Sequence, residues 1–285
     1  MPGQRSSLAS SAVLPKVRQW HPQQGEVEPW IKTRATRLLE LAGNWHSGSE
    51  GLDAARQRIQ AAGFEPNLAD ALSSLLQAGS SAVLQVRDAQ YGGILSTSAS
   101  VIVVVDQWRL LSDGSLQTGG TTLDIRLTKS SPHWRVVEVL PAHPTGASTQ
   151  ISSPAQQVLQ QSRIRLPYAA KADVLSGGIH DSVLKMLLRL SAIHVVDVSV
   201  MRSGHPHNVF GTSRKSDHTI GRAVDIWALD SKPLVLPTNH TLAANAMRLA
   251  VAHGAYNVGG PILISGTQYF SDRTHQDHIH LGFNY

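Results

Sequence analysis

The chain has 285 residues, no cysteine, 41 % hydrophobic and 16 % charged residues, and a formal net charge of +5. The apolar fraction excludes a disordered chain. The absence of cysteine excludes disulfide frameworks, thiol catalysis and thiolate-bound zinc. The basic residues are scattered rather than clustered, so the charge fits an anionic neighbourhood such as a cell wall but leaves no nucleic-acid footprint.

Residues 1–25 are polar and broken by Pro2, Pro15 and Pro22, and read as a flexible tail. The N-terminus lacks the apolar core of a signal peptide, and no stretch is long and apolar enough to span a bilayer. From Glu26 onward Trp30, Ile31, Ala35, Leu38, Leu39 and Leu41 recur at helical spacing. Shorter helices follow near 51–62 and 67–77. The texture then changes to strands: 82–87 alternates, 99–105 is wholly apolar, Ser112-Asp-Gly-Ser115 signals a hairpin turn, and 121–127 and 134–140 complete a meander. Helices followed by antiparallel strands make residues 26–140 a small α+β domain. Its element order loosely resembles the curved-sheet domains of the cystatin and nuclear-transport-factor type, which serve as accessory modules.

Residues 141–152, rich in Pro, Gly, Ser and Thr, read as a linker, and a second α+β domain occupies 153–285. Its expected elements are a helix at 154–162, an amphipathic helix at 181–190, a buried strand at 195–200, a strand at 222–228, a helix at 241–253 and a final strand at 278–283.

Six of the fourteen histidines fall within 205–218 and 275–280. Imidazole and carboxylate clustered in two distant windows suggest a metal site, and with no thiolate the fitting metal is zinc held by nitrogen and oxygen. In the strand Ala223-Val-Asp225-Ile-Trp227, Asp225 points away from Val224 and Ile226, and Gly221 permits a tight approach from His218. His278 and His280, two apart in a strand, share one face. His218, Asp225 and His280 then supply three ligands and leave one position open.

The pattern Ser216-x-His218-x-x-Gly221-x-Ala223-x-Asp225, followed by His278-x-His280, resembles the zinc peptidase group that contains the D-Ala-D-Ala carboxypeptidases, murein endopeptidases and Hedgehog-type domains. The resemblance covers about 150–285. It implies zinc ligation by His218, Asp225 and His280, and hydrolysis of an amide in peptidoglycan stem peptides or cross-bridges, in the cell envelope or outside the cell. It places the general base at Asp277 or His278; Asp277 is favoured as base and His278 as the group that polarises the oxyanion, although the group more often carries glutamate at the acidic position. Arg202 would grip a substrate carboxylate or carbonyl, and Ser216 and His207 would border the substrate. His205 and His275 would lie near the site. The alternative is a zinc-containing module without activity, serving wall binding or a secretion or transfer apparatus.

Overall fold

The computed structural model describes residues 12–77, 79–130 and 133–284. The fold is α+β, with two sheets, each carrying its own helices and its own core. Helix α1 (Pro29–Gly43) starts on a proline, whose missing N–H is no loss in a first turn. It is followed by α2 (Gly51–Ala61) and a 3₁₀ segment, Pro66–Leu72. Strands β1 (Ser81–Ile94), β2 (Ser98–Leu110), β3 (Leu116–Ser130) and β4 (His133–Pro141) form an antiparallel meander in the order β1-β2-β3-β4. One face of this sheet packs Val101, Val103, Val105, Leu123 and Ile125 against Ile31, Ala35, Leu38 and Ile59. Ile102 and Val104 point to the other face and are equally buried, because the second half of the chain covers them. Gly93 marks the closeness of that packing: a Cβ there would overlap Phe210.

The alternation along β1 changes phase. Leu84 and Val86 face the helices, and so do Ala89 and Tyr91. Register shifts between Val86 and Asp88 and between Tyr91 and Gly93 bracket this change. A bulge adds one residue and re-aims the side chains that follow. Asp88 and Gln90 therefore leave the helix-facing side and point into the second half of the molecule.

That half contains α3 (Ser153–Gln160), β5 (Ile164–Arg165), α4 (Tyr168–Leu175), α5 (Asp181–Ser191), β6 (Val196–Val200), β7 (Ala223–Leu229), β8 (Lys232–Pro233), α6 (His240–Ala252), β9 (Ala255–Gly259), β10 (Tyr269–Phe270) and β11 (Ile279–Phe283). Ser152 caps α3, its Oγ accepting from Ala155 N–H at 3.3 Å. The sheet order is β10-β9-β11-β7-β6-β5, with β8 beside β7. The pairs β10–β9 and β5–β6 are parallel and the others antiparallel. Val183, Leu187 and Leu190 of α5 and Ala243, Met247 and Ala250 of α6 cover Val198, Val224, Ile226, Ile279 and Leu281.

Part of the expected flexible tail is packed instead, around Arg18 and Trp20 on the first half, while Gly25 comes close to the Val235 carbonyl of the second. Arg18 N–H donates to Gln85 Oε1 at 2.9 Å, Gln85 Nε2 donates back to Arg18 O at 3.0 Å, and the Trp20 ring packs on the core. The apolar area of that one indole outweighs the polar composition around it. Residues 1–11 lie outside the described residues. Among the described residues no helix is long and apolar enough to cross a membrane.

Candidate metal centre

The segment that brings His218 to β7 is a short 3₁₀ turn, Asp217–Ile220. Ser216 caps it, its Oγ accepting from His218 N–H at 3.3 Å. Gly221 closes it with φ +70°, and a Cβ there would overlap the Gly178 carbonyl oxygen. The chain then enters β7, where Asp225 sits directly opposite His280 of the neighbouring strand β11. Loop and strand pair thus deliver three side chains to one point.

Their facing atoms form a tight triangle. His218 Nε2 lies 3.1 Å from Asp225 Oδ1 and 3.1 Å from His280 Nδ1, and His280 Nδ1 lies 3.0 Å from Asp225 Oδ1. All three residues are buried. His218 Nδ1 donates to the Met201 carbonyl at 2.6 Å. A carbonyl can only accept, so Nδ1 carries a proton and Nε2 is the nitrogen turned into the triangle. Burial, opposed by Asp225, pushes His280 down to about 4, so its imidazole is neutral near pH 7. Burial opposes ionisation of Asp225, but His218 and His278 beside it outweigh that and hold its carboxyl well below the usual range. Neutral imidazole and ionised carboxylate are the forms that bind metal. Three atoms spaced this way also approach the edge of a tetrahedron with ~2.0 Å bonds, about 3.3 Å. The donor set could hold a metal ion.

His205 stacks on His218 with ring centroids 3.9 Å apart and planes 13° from parallel. The group formed by half-buried His205 with buried His218 and Asp225 could hold a metal ion, its ligand atoms lying within 4.8 Å of one another. An imidazole binds metal in its own ring plane, however, and a stacked ring's plane runs alongside that of His218 rather than through the same point. The triangle with His280 is the more compact set.

Of the triangle only His280 reaches a cleft of about 600 Å³, whose wall also includes His205 and His278; His218 and Asp225 lie behind it. Phe210, Arg214, Ser216, Phe270, Arg273 and His275 line it from the second half of the chain, and Tyr91 through Leu95 from β1 and the residue after it. His278 opens into the cleft and Asp277 stands behind it. His278 Nδ1 donates to Asp277 Oδ1 at 2.6 Å, and its Nε2 lies 3.7 Å from Asp225 Oδ2. Burial disfavours the His278 cation, but Asp225, Asp277 and Asp88 prevail and raise it to about 9.

The favoured base, Asp277, has both oxygens engaged. Oδ1 accepts from His278, and Oδ2 accepts from Lys32 Nζ at 2.6 Å and from Tyr91 N–H at 3.0 Å. Asp277 is also absent from the cleft wall, so the geometry assigns it to orienting His278 rather than to taking a proton from substrate. Arg202 and His207 do not line the cleft either. The backbone of Arg202 is tied to Asp173, its N–H donating to Oδ2 at 3.1 Å, and its Nη1 sits over Gly178. His207 is exposed and pairs with Asn208 at 3.0 Å. The cationic side chains that do line the cleft are Arg214 and Arg273.

The first sheet supplies contacts that motif reasoning does not reach. Gln90 Nε2 donates to Asp225 Oδ2 at 2.7 Å, and Ser199 Oγ donates to Gln90 Oε1. Lys32, fully buried, bridges Glu26 and Asp277. Burial opposes the Lys32 charge, but Asp277 and Glu26 together raise its pKa. The one available signal is polar residues inside an otherwise apolar helix face and strand. Comparison with protein-family models, with curated proteins and with solved structures finds no match to this chain.

Proposed function

We propose that the protein is a zinc-dependent hydrolase that cuts amide bonds of peptidoglycan stem peptides or cross-bridges. The observation that carries this reading is the buried triangle of His218 Nε2, Asp225 Oδ1 and His280 Nδ1, with 3.0–3.1 Å edges, which meets a cleft of about 600 Å³ through His280. These three residues would hold the ion. A bound zinc supplies Lewis acidity, polarising an amide carbonyl and acidifying water near neutral pH.

The remaining work falls to the chain's own groups. His278, oriented through Nδ1 by Asp277, presents Nε2 on the cleft side and carries a proton there near neutral pH. It is placed to stabilise negative charge growing on a carbonyl oxygen and to hand its Nε2 proton to the departing amine. Asp277 stays ionised and fixes the ring, because burial alone would protonate it and Lys32 and His278 prevent that. Arg214 and Arg273 offer guanidinium groups to a peptide carboxylate. The choice of peptidoglycan rests on the motif resemblance and on the net charge of +5.

The test is metal content by elemental analysis of wild type and His280→Ala, together with digestion of purified peptidoglycan. The reading expects about one zinc per wild-type chain and release of cut stem peptides, both lost in the variant. No zinc after metal-replete purification refutes it. Zinc without cleavage replaces it with the wall-binding or transfer-apparatus module.

A further inference from the structure

The metal triangle belongs to the second half of the chain, yet the carboxylate at its centre is held from the first. Asp225 offers Oδ1 to the triangle, and Oδ2 is bound by Gln90, an amide on β1 that is 135 residues distant and has no solvent exposure. The orientation of the amide is fixed. An ionised carboxylate only accepts, so the NH₂ of Gln90 faces Asp225, and its oxygen must face the hydroxyl of Ser199, also fully buried. Ser199 is on β6, next to β7. The chain Ser199–Gln90–Asp225 therefore runs from one sheet to the other and back, and ends on a candidate ligand.

The aim of Gln90 depends on the β1 bulge. Without the phase change after Val86, Gln90 would continue the row of Leu84 and Val86 into the helix-facing core. The same stretch of β1 also serves Asp277: the neighbouring backbone N–H, that of Tyr91, donates to Asp277 Oδ2. Two adjacent residues of an edge strand thus hold two carboxylates of the second half, one on β7 and one in the turn that precedes β11.

We infer that Gln90 is a positioning residue of the metal centre, so that the first sheet is a structural half of the site and not a separate accessory. This inference rests on the zinc reading above. A carboxylate with one oxygen anchored presents the other in a fixed direction and cannot rotate to chelate or swing away. An amide anchor does this without adding charge, so Asp225 keeps its full negative charge for the ion. Removing such an outer partner lowers metal affinity by about 10–100-fold.

The experiment measures Zn²⁺ affinity of the full chain by competition with a chromogenic chelator, and the visible absorption of the Co²⁺-loaded protein. The proteins compared are wild type, Gln90→Ala, Gln90→Leu, Ser199→Ala, Gln107→Ala and His280→Ala. Gln107→Ala controls for general damage to the first sheet, since Gln107 is another buried amide there, donating to Gly43 O and Leu75 O and far from the ligands in the hydrogen-bond network. Thermal melts of the metal-free proteins identify any variant that fails to fold; Ser199→Ala, which only frees the amide to turn, then carries the test. The expected result is a loss of about 10–100-fold in affinity for both Gln90 variants, a smaller loss for Ser199→Ala, altered Co²⁺ bands in all three, and wild-type behaviour for Gln107→Ala. Gln90 variants that bind zinc as wild type does, while His280→Ala does not, overturn the inference and leave the zinc reading intact. An equal loss in Gln107→Ala also overturns it. Wild type that binds no zinc refutes the zinc reading itself.

Discussion

Replacing Lys32 with methionine tests the ionic seam between the two sheets. Lys32 has no solvent exposure, and its ammonium meets Asp277 Oδ2 at 2.6 Å and Glu26 Oε2. The two acids are not equivalent. Burial works against Asp277, but Lys32 and His278 hold its carboxyl below the ordinary value. Burial dominates at Glu26 and raises it despite the same ammonium. The principal pair is therefore Lys32 with Asp277, and methionine fills a similar volume without a charge. Removing one partner of a buried pair costs about 3–5 kcal/mol, because the other charge is left uncompensated. Urea unfolding at pH 7 should show a loss of that size. The pH dependence has a definite sign. Asp277 has a depressed folded-state pKa, so its contribution is present above the ordinary carboxylate value and is lost as pH falls. Lys32 has a raised one, so its contribution holds through neutral pH and fades only above its ordinary value near 10.5. The gap between wild type and Lys32→Met should therefore be widest from neutral to mildly basic pH and narrow toward pH 3. A loss below about 1 kcal/mol, the range of an exposed pair, or a gap that ignores pH, refutes the buried-pair account.

Other substitutions probe neighbouring features. Asp88 is buried, has an unpartnered Oδ2, and is pushed up to about 8 by burial, with Lys32 opposing and Asp277 and Glu26 assisting. A raised carboxylate costs the fold stability as pH climbs from the ordinary value through the folded one, so Asp88→Asn should match wild type near pH 4 and exceed it at pH 8 by about 1 kcal/mol or more; melting curves across that range would show it. Gly221→Ala combines a left-handed φ of +70° with overlap on the Gly178 carbonyl, and should cost more than about 2 kcal/mol in chemical denaturation. His205→Ala removes the stacked ring but no edge of the triangle, so bound zinc measured by elemental analysis should persist there and vanish in His218→Ala. Equal loss in both would make His205 a ligand.

Legibility in the sequence followed the range of the interactions involved. Helices α1 and α5 bury one stripe each and could be read from spacing. Helix α4 could not, because Ala169, Ala170, Asp173 and Val174 are buried around much of an eight-residue helix, which leaves no clear polar face. Strand β9, Ala-Tyr-Asn-Val-Gly, has half-buried Tyr256 and Asn257 side by side and ends on glycine, so it shows neither an apolar run nor alternation. His218 and Asp225 sit on one turn and the strand it enters, so their convergence could be read locally, and His280 followed from the strand parity of His278-x-His280. The engagement of Asp277 by Lys32 and Tyr91 is not visible in the motif, because these partners lie 245 and 186 residues away. Gln90 was hidden by the bulge: strict alternation from Leu84 would have sent it into the other core.

Strand β11 has one further consequence, for the order in which the molecule assembles. It is the last strand in the chain, yet it lies between β9 and β7 in the interior of its sheet. Until it inserts, β9 and β10 have no strand connecting them to β5, β6 and β7. The sheet cannot grow outward from a finished centre; two separate edges must wait for a late strand to join them. Such long-range closure slows folding and leaves strand edges open meanwhile. The strand that completes the sheet also carries His280, so a chain arrested before this step has neither a continuous sheet nor the third corner of the triangle. On the zinc reading proposed above, metal uptake would be a late, time-resolved report that this strand has docked.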